Sequence, residues 1–303
     1  MFILEAKELR KKYGKKIALD SLSLDLADRS IYGMLGRNGA GKTTFIRLIT
    51  GLAHPTSGSI RVFGEVPRTG TGRICYLSEN IALFPHLSPE ENLRLVHAMA
   101  KVPGTTARIE EILNRVGLGE AGRKPARSLS LGMKRRLQLA MTVCVKPYEL
   151  LILDEPTNGL DVEGLIWLKE HLAALRQSGA TILLATHSIK EMEELISDYF
   201  IIDRGVVVDR GKWNLDSTEL IKGYTVVVGS QVSGCLDTLH RNNIKDYKVQ
   251  GDTVLIQTAL EASHLMRLLT ENGVYPRAFG ATRQTLEQVF LDKTRGSTNN
   301  DAN

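Results

Sequence analysis

Gly36-Arg37-Asn38-Gly39-Ala40-Gly41-Lys42-Thr43 follows a short apolar run, Ile31–Leu35, and precedes a helical run, Thr44–Thr50. The pattern GxxxxGK[ST] between a strand and a helix predicts a loop that holds a polyphosphate. The glycines let successive backbone N–H groups turn toward one anion, and the following helix presents its positive end to the same anion. Lys42 is expected to reach the β- and γ-phosphates of ATP, and the Thr43 hydroxyl to hold Mg2+. A second segment, Leu150-Leu151-Ile152-Leu153-Asp154-Glu155, reads as a buried strand ending in two carboxylates. Asp154 is placed to hold Mg2+ through water, and Glu155 to orient or deprotonate an attacking water. Asp154 alone would suit binding; Glu155 beside it argues for hydrolysis.

These groups need a scaffold that presents strand ends on one edge. Through about residue 210 the chain alternates apolar runs with amphipathic stretches, an α/β pattern with a largely parallel sheet. Ile31–Leu35, Leu150–Leu153 and Ile182–Ala185 are continuous apolar runs that suit strands buried on both faces. Leu165, Leu168, Leu172 and Leu175 mark a helix, with Asp161 able to cap its start and Gly179 behind its end. Ser188-x-x-Glu191 reads as a capping box opening a further helix. Residues 199–203 and 206–209, joined at Arg204-Gly205, read as a hairpin.

Composition shifts near residues 211–223, and the remainder reads as a small α+β unit. Tyr224–Val228 and Tyr247–Thr258 are expected strands, the second broken at Gly251-Asp252. Residues 260–272 are an expected helix, and Thr285-x-x-Gln288 opens a last one. The expected division is 1–215 for an ATPase domain, 216–295 for the α+β domain, and 296–303 for a disordered tail.

The bounds agree with a cytosolic origin. The 303 residues suggest two domains, or one large domain with an appendage. No apolar run approaches a membrane span of roughly 20 residues, and the N-terminus lacks a signal-peptide pattern. Cys75, Cys144 and Cys235 are widely spaced and odd in number, which disfavours disulfides and structural zinc. A net charge of +5 suits an anionic ligand but is weak evidence alone.

Between the two phosphate-handling segments lies Leu129-Ser130-Leu131-Gly132-Met133-Lys134-Arg135-Arg136. It resembles the LSGGQ signature of ABC transporter ATPases. Asn158-Gly159-Leu160-Asp161 looks like that family's D-loop, His187 like its switch histidine, and Tyr13 like the aromatic that stacks on adenine. The resemblance covers residues 1–210 and implies a P-loop NTPase fold of ABC type, with a helical subdomain at about 85–140. It also implies an ATP-sandwich dimer, in which Ser130 and Gly132 of one chain face the γ-phosphate held by Lys42 of the other. The nucleotide-contacting set is then Tyr13, Gly36, Arg37, Asn38, Gly39, Ala40, Gly41, Lys42, Thr43, Thr44, Ser130, Gly132 and Asp161. Glu155 and His187 are the catalytic pair, and Thr43, Glu79 and Asp154 the metal ligands.

The chain departs from the family pattern in places. Leu131 and Met133 replace glycine and glutamine of the signature, while Ser130 and Gly132 are kept. Glu79 stands where the family usually has glutamine. Both departures resemble the branch serving bacitracin, lantibiotic and other drug or peptide exporters, as does the ending Thr285–Leu291. A further expectation by resemblance is that residues 80–92, read as an apolar loop, receive a helix of the membrane subunit. The basic residues Arg123, Lys124, Arg127, Lys134, Arg135 and Arg136 read either as a solvated face or as support for nucleotide or partner. The partners implied are a separate transmembrane permease and a second copy of this chain or a homologous ATPase, with no nucleic acid. The location implied is cytoplasmic, peripheral on the inner face of the cell membrane. A soluble ATPase of the same superfamily acting on DNA or the ribosome is disfavoured by the single uninterrupted cassette.

Overall fold

The computed structural model describes residues 2–78, 82–186, 189–215, 217 and 220–294. Its contacts separate two compact units, one comprising Asn214–Leu291 and the other the chain up to Trp213 together with residues from Asp292.

In chain order the first unit begins β1 (Phe2–Tyr13), β2 (Lys16–Ala27), β3 (Ile31–Leu35), α1 (Lys42–Ile49), β4 (Ser57–Val62) and β5 (Ile74–Leu77). It continues α2 (Pro89–Met99), α3 (Thr106–Arg115), α4 (Leu131–Val143), β6 (Leu150–Asp154) and α5 (Val162–Gln177). It ends β7 (Thr181–Thr186), β8 (Asp198–Asp203) and β9 (Val206–Lys212). A six-stranded sheet has the order β5-β6-β7-β3-β8-β9, parallel except for β9, which closes one edge antiparallel to β8. β3, β6 and β7 are buried at every position, as continuous apolar strands covered on both faces must be. One core joins Met34, Ile152, Leu183 and Phe200 of this sheet to Phe45 of α1 and to Leu9 and Leu24 of the antiparallel sheet β2-β1-β4.

The helix starts follow side-chain chemistry. Ser88 and Glu91 form a reciprocal capping box at α2, and the hydroxyls of Thr105 and Ser130 cap α3 and α4. The α2 start corrects the reading of residues 80–92 as a loop: the helix begins at Pro89, within that stretch. The expected helix after Ser188 is also corrected. Ser188 itself lies outside the described residues, and the chain beyond it forms two 3-10 turns, Ile189–Glu191 and Glu193–Leu195. The chain then re-enters the sheet at Asp198.

The second unit runs β10 (Ile221–Val227), α6 (Val232–Arg241), β11 (Tyr247–Gln250), β12 (Thr253–Gln257), α7 (Ala262–Glu271) and β13 (Ala278–Arg283). Its antiparallel sheet has the order β11-β12-β10-β13, the ferredoxin-like βαββαβ arrangement. Cys235, Leu239, Leu265 and Leu269 of the helices pack on Tyr224, Val226, Val254 and Ile256. Sequence patterning missed α6 and β13. The last described element is α8 (Leu286–Thr294), and Thr285 and Gln288 bond each other reciprocally at its start. The expected tail, 296–303, lies outside the described residues.

Candidate nucleotide site

The phosphate loop leaves the end of β3 and turns into α1. Gly41 sits at φ 116° as the helix N-cap and offers no side-chain cap, so the first N–H groups of α1 are left for a ligand. The conformation needs glycine twice over: a Cβ on Gly41 would also meet the Ala18 carbonyl oxygen at 2.7 Å. A Cβ on Gly36 would stand 2.6 Å from the Ile202 carbonyl oxygen, so the loop lies tight against the end of β8.

Lys42 is buried and folds back over the loop, its ammonium donating to the carbonyls of Gly36 and Arg37. Burial lowers its pKa, against the opposing pull of the Glu155 and Asp154 carboxylates. A charge held partly desolvated and facing carbonyl oxygens is poised to exchange those partners for phosphate oxygens.

A cleft of about 410 Å3 is lined by Tyr13, Arg37, Asn38, Gly39, Gly41, Lys42, Thr43, Thr44, Asp154 and Glu155, with Lys16, Ala18 and Asn158 completing it. Gly36 and Ala40 do not line it; Ala40 accepts from Gly205 N–H at 2.9 Å and donates to the Arg37 carbonyl at 3.1 Å. Tyr13 is exposed, with the Lys11 ammonium 5.0 Å from its ring centroid.

β7 lies between β6 and β3, so its end packs beside the carboxylates. Asp154 and Glu155 are both buried. The Tyr76 hydroxyl is pushed up to about 12, first by burial and then by the Asp154 carboxylate beside it. Glu155 has φ 49°, the left-handed region, and among the described non-glycine residues there it alone lines the cleft. That backbone costs about 1–2 kcal/mol for a residue with a Cβ. Several hydrogen bonds hold it, one of them from the Asn158 N–H to its carbonyl at 3.3 Å. Its N–H donates to the Ala185 carbonyl at 2.8 Å, its carbonyl accepts from Arg135 at 2.8 Å, and its carboxylate accepts from the Thr186 hydroxyl at 3.1 Å.

Ser130, Gly132 and Asp161 do not line this cleft. Ser130 caps α4, its exposed hydroxyl accepting from Met133 N–H at 3.2 Å. Asp161 caps α5 through Gly164 N–H at 3.0 Å and pairs with Arg136 at 3.2 Å. The phosphate loop and the carboxylates thus share one cleft, lined also by Asn158, whereas the start of α4 at Ser130 and Gly132, and Asp161, do not line it. The basic cluster divides: Arg135 and Arg136 are buried and bonded within the chain, Lys134 is half-buried, and Arg123, Lys124 and Arg127 are exposed. Glu79 and His187 lie outside the described residues. Sequence reasoning missed Lys16, Asn158, Tyr76, Thr186 and the inward use of Arg135. Thr186, directly before His187, and Asn158, the first residue of the Asn158–Asp161 motif, carried a sequence signal.

Among the described residues, no group of three or more His, Cys, Asp or Glu side chains is disposed to hold a metal. Thr43 and Asp154, a hydroxyl and one carboxylate beside a phosphate cradle, are the hard-oxygen set that Mg2+ takes when phosphates supply its other ligands. No described helix is long and apolar enough to cross a membrane.

A family profile described as ABC transporter matches residues 19–158. The lantibiotic transport ATP-binding protein SrtF of Streptococcus pyogenes is 37% identical over 220 residues, which cover 71% of this chain and 94% of SrtF. The bacitracin transport ATP-binding protein BcrA of Bacillus licheniformis is 33% identical over 305 residues, 98% of each chain. A solved ATP-binding subunit of an ABC transporter superposes with a TM-score of 0.62 at 25% identity, over 88% of this chain and 99% of that one.

Proposed function

The chain belongs to the family of ABC transporter ATP-binding proteins, ATPases coupled to transport, and on that premise we propose that it drives export by separate membrane-spanning partner chains. The lantibiotic and bacitracin transport relatives suggest a peptide-antibiotic or drug-like cargo. The protein would work from the cytoplasmic face of the cell membrane, paired with a second copy or a homologous ATPase chain. Residues 1–215 form the motor in this reading, and 216–295 an appended domain.

The observation that carries the proposal is the shared cleft of the Arg37–Thr44 segment, Asp154 and Glu155. The loop N–H groups and Lys42 bind the phosphates. Thr43 and Asp154 would hold Mg2+, with Glu79 the third expected ligand by resemblance. Mg2+ supplies charge neutralisation at the phosphate oxygens. Glu155 accepts a proton from the attacking water while Thr186 fixes one of its carboxylate oxygens, and His187 is expected beside it by resemblance. Tyr13 stacks on the base. Ser130, Gly132 and Asp161 complete the neighbouring chain's site. Glu155→Gln tests the reading: turnover should fall roughly 10²–10⁴-fold, the usual worth of a general base, with ATP affinity kept. Full turnover in that variant would overturn it.

A further inference from the structure

We infer that Arg135 is a positioning residue for hydrolysis, holding the strained backbone of Glu155 and tying that carboxylate to helix α4. The inference rests on reading Glu155 as the group that activates water.

Of the hydrogen bonds on Glu155 described above, two tie it to Ala185 and Thr186 at the end of the neighbouring strand, one from Asn158 N–H closes the turn that follows it, and the Arg135 bond comes from a separate helix. The Arg135 guanidinium is buried and donates to the Glu155 carbonyl at 2.8 Å. A bond from a charged donor is among the stronger ones, and here it is spent on a main-chain oxygen. A buried guanidinium is costly to desolvate, and a packing role at this position would be filled better by an apolar chain of similar length. The Glu155 peptide is also the one that needs a clamp. With φ 49° it would relax toward ordinary extended backbone if released, turning the carboxylate away from the cleft.

The adjacent residue shows that this aim is specific. Arg136 leaves the same turn of α4 and bonds Val116 and Asp161 instead. Two neighbouring arginines therefore fasten α4 to two loops of its own chain, one at the carboxylate and one at the D-loop. The same helix starts at Ser130, the residue proposed to face a phosphate on the opposite chain. Closure of α4 on one nucleotide is thereby linked to the pose of the Glu155 that acts on the other.

The test compares Arg135→Met, Arg135→Lys and Glu155→Gln, alone and combined, by steady-state and single-turnover ATPase assays with MgATP titrations. Arg135→Met should lower kcat roughly 10–100-fold while KM and the MgATP Kd change less than about twofold, the pattern of a lost transition-state contribution. Arg135→Lys keeps a cation and a donor and should recover kcat to within about fivefold of the parent. In the Glu155→Gln background either change should lower the residual rate by less than about twofold, because residues acting as one unit are non-additive. Unchanged kcat in Arg135→Met, or a full additional loss in the Glu155→Gln background, would overturn the inference. If Arg135→Met does not fold, Arg135→Lys carries the test: a kcat loss that persists undiminished in the Glu155→Gln background overturns it equally. A Glu155→Gln variant that keeps full turnover would sink the functional reading instead, so the two failures are distinguishable.

Discussion

A Cβ on Gly132 would stand 2.9 Å from Asp161 Oδ2, so the first turn of α4 and the cap of α5 meet where α4 has no side chain. The resemblance of the signature gives Gly132 a phosphate to serve. Gly132 also makes room for the carboxylate that pairs with Arg136 and caps α5. Gly132→Ala should push that carboxylate aside. The Asp161 side chain is 43% exposed, so most of the loss should come from the cap rather than the ion pair. A lost cap typically costs about 1 kcal/mol. Urea unfolding should show Gly132→Ala and Asp161→Ala with similar losses, and the double variant close to either single one. Fully additive losses would place the two residues in separate interactions.

Lys42 sets binding against stability. Its lowered pKa means that burial disfavours the charge in the nucleotide-free fold. Between the folded value and the ordinary lysine value of 10.5 the unfolded chain binds more protons, so this group makes stability rise with pH there. Lys42→Met removes the buried charge and keeps the stem. The nucleotide-free variant should melt no lower than the parent and up to a few degrees higher. MgATP affinity should fall by about 10–100-fold, the worth of a charge-assisted bond of roughly 1.5–3 kcal/mol. Calorimetry and melting curves read both effects. Parent-like MgATP affinity would remove Lys42 from the site.

The parts legible in sequence were those whose chemistry is local. The Gly36–Thr43 loop, the Asp154-Glu155 strand end, the Asp161 cap and the Thr285/Gln288 box each announce themselves within a few residues, because short-range hydrogen bonding dictates them. The contacts that tune the site are not local. Arg135 reaches Glu155 across 20 positions and Thr186 reaches it across 31, and nothing in a one-dimensional pattern distinguishes an inward arginine from its exposed neighbours. α6 escaped detection because Gly234 and the β-branched Val232 and Thr238 weaken helix propensity, and its apolar face is satisfied only once Val254 and Ile256 are beneath it.

His171 should make the first unit acid-sensitive. It is buried against Trp167, with ring centroids 5.3 Å apart, and its Nδ1 faces Arg115 at 3.3 Å. Burial lowers its pKa first, opposed by the Val143 carbonyl, and Arg115 and Arg108 lower it further. Below the ordinary histidine value of 6.5 the unfolded chain therefore binds the proton more readily, and stability falls as the pH drops. The slope from one such group is at most about 1.4 kcal/mol per pH unit. His171→Phe keeps a ring against Trp167 and should flatten the decline between about pH 6.5 and 5.5 in urea titrations. An unchanged slope would assign the acid sensitivity elsewhere.

The separation of the α4 N-terminus from the cleft yields the last prediction. Ser130 caps a helix whose start is open, yet neither it nor Gly132 lines the cleft holding Lys42 and Glu155. In the proposed head-to-tail arrangement, two chains would bring each Ser130 to the γ-phosphate held by the other. Leu131, 74% exposed, and Val162, 75% exposed, add apolar surface near this end that pairing would cover. Glu155→Gln should preserve bound ATP, so light scattering should give a dimer with MgATP and a monomer without it. Adding Ser130→Arg should return the MgATP sample to monomer, since the longer side chain fills the space the phosphate must enter. Ser130→Ala removes the cap without filling that space and should weaken the dimer by less, about fivefold for roughly 1 kcal/mol of cap and hydroxyl contacts. A dimer that persists undiminished in Ser130→Arg would show that the two chains meet through another surface.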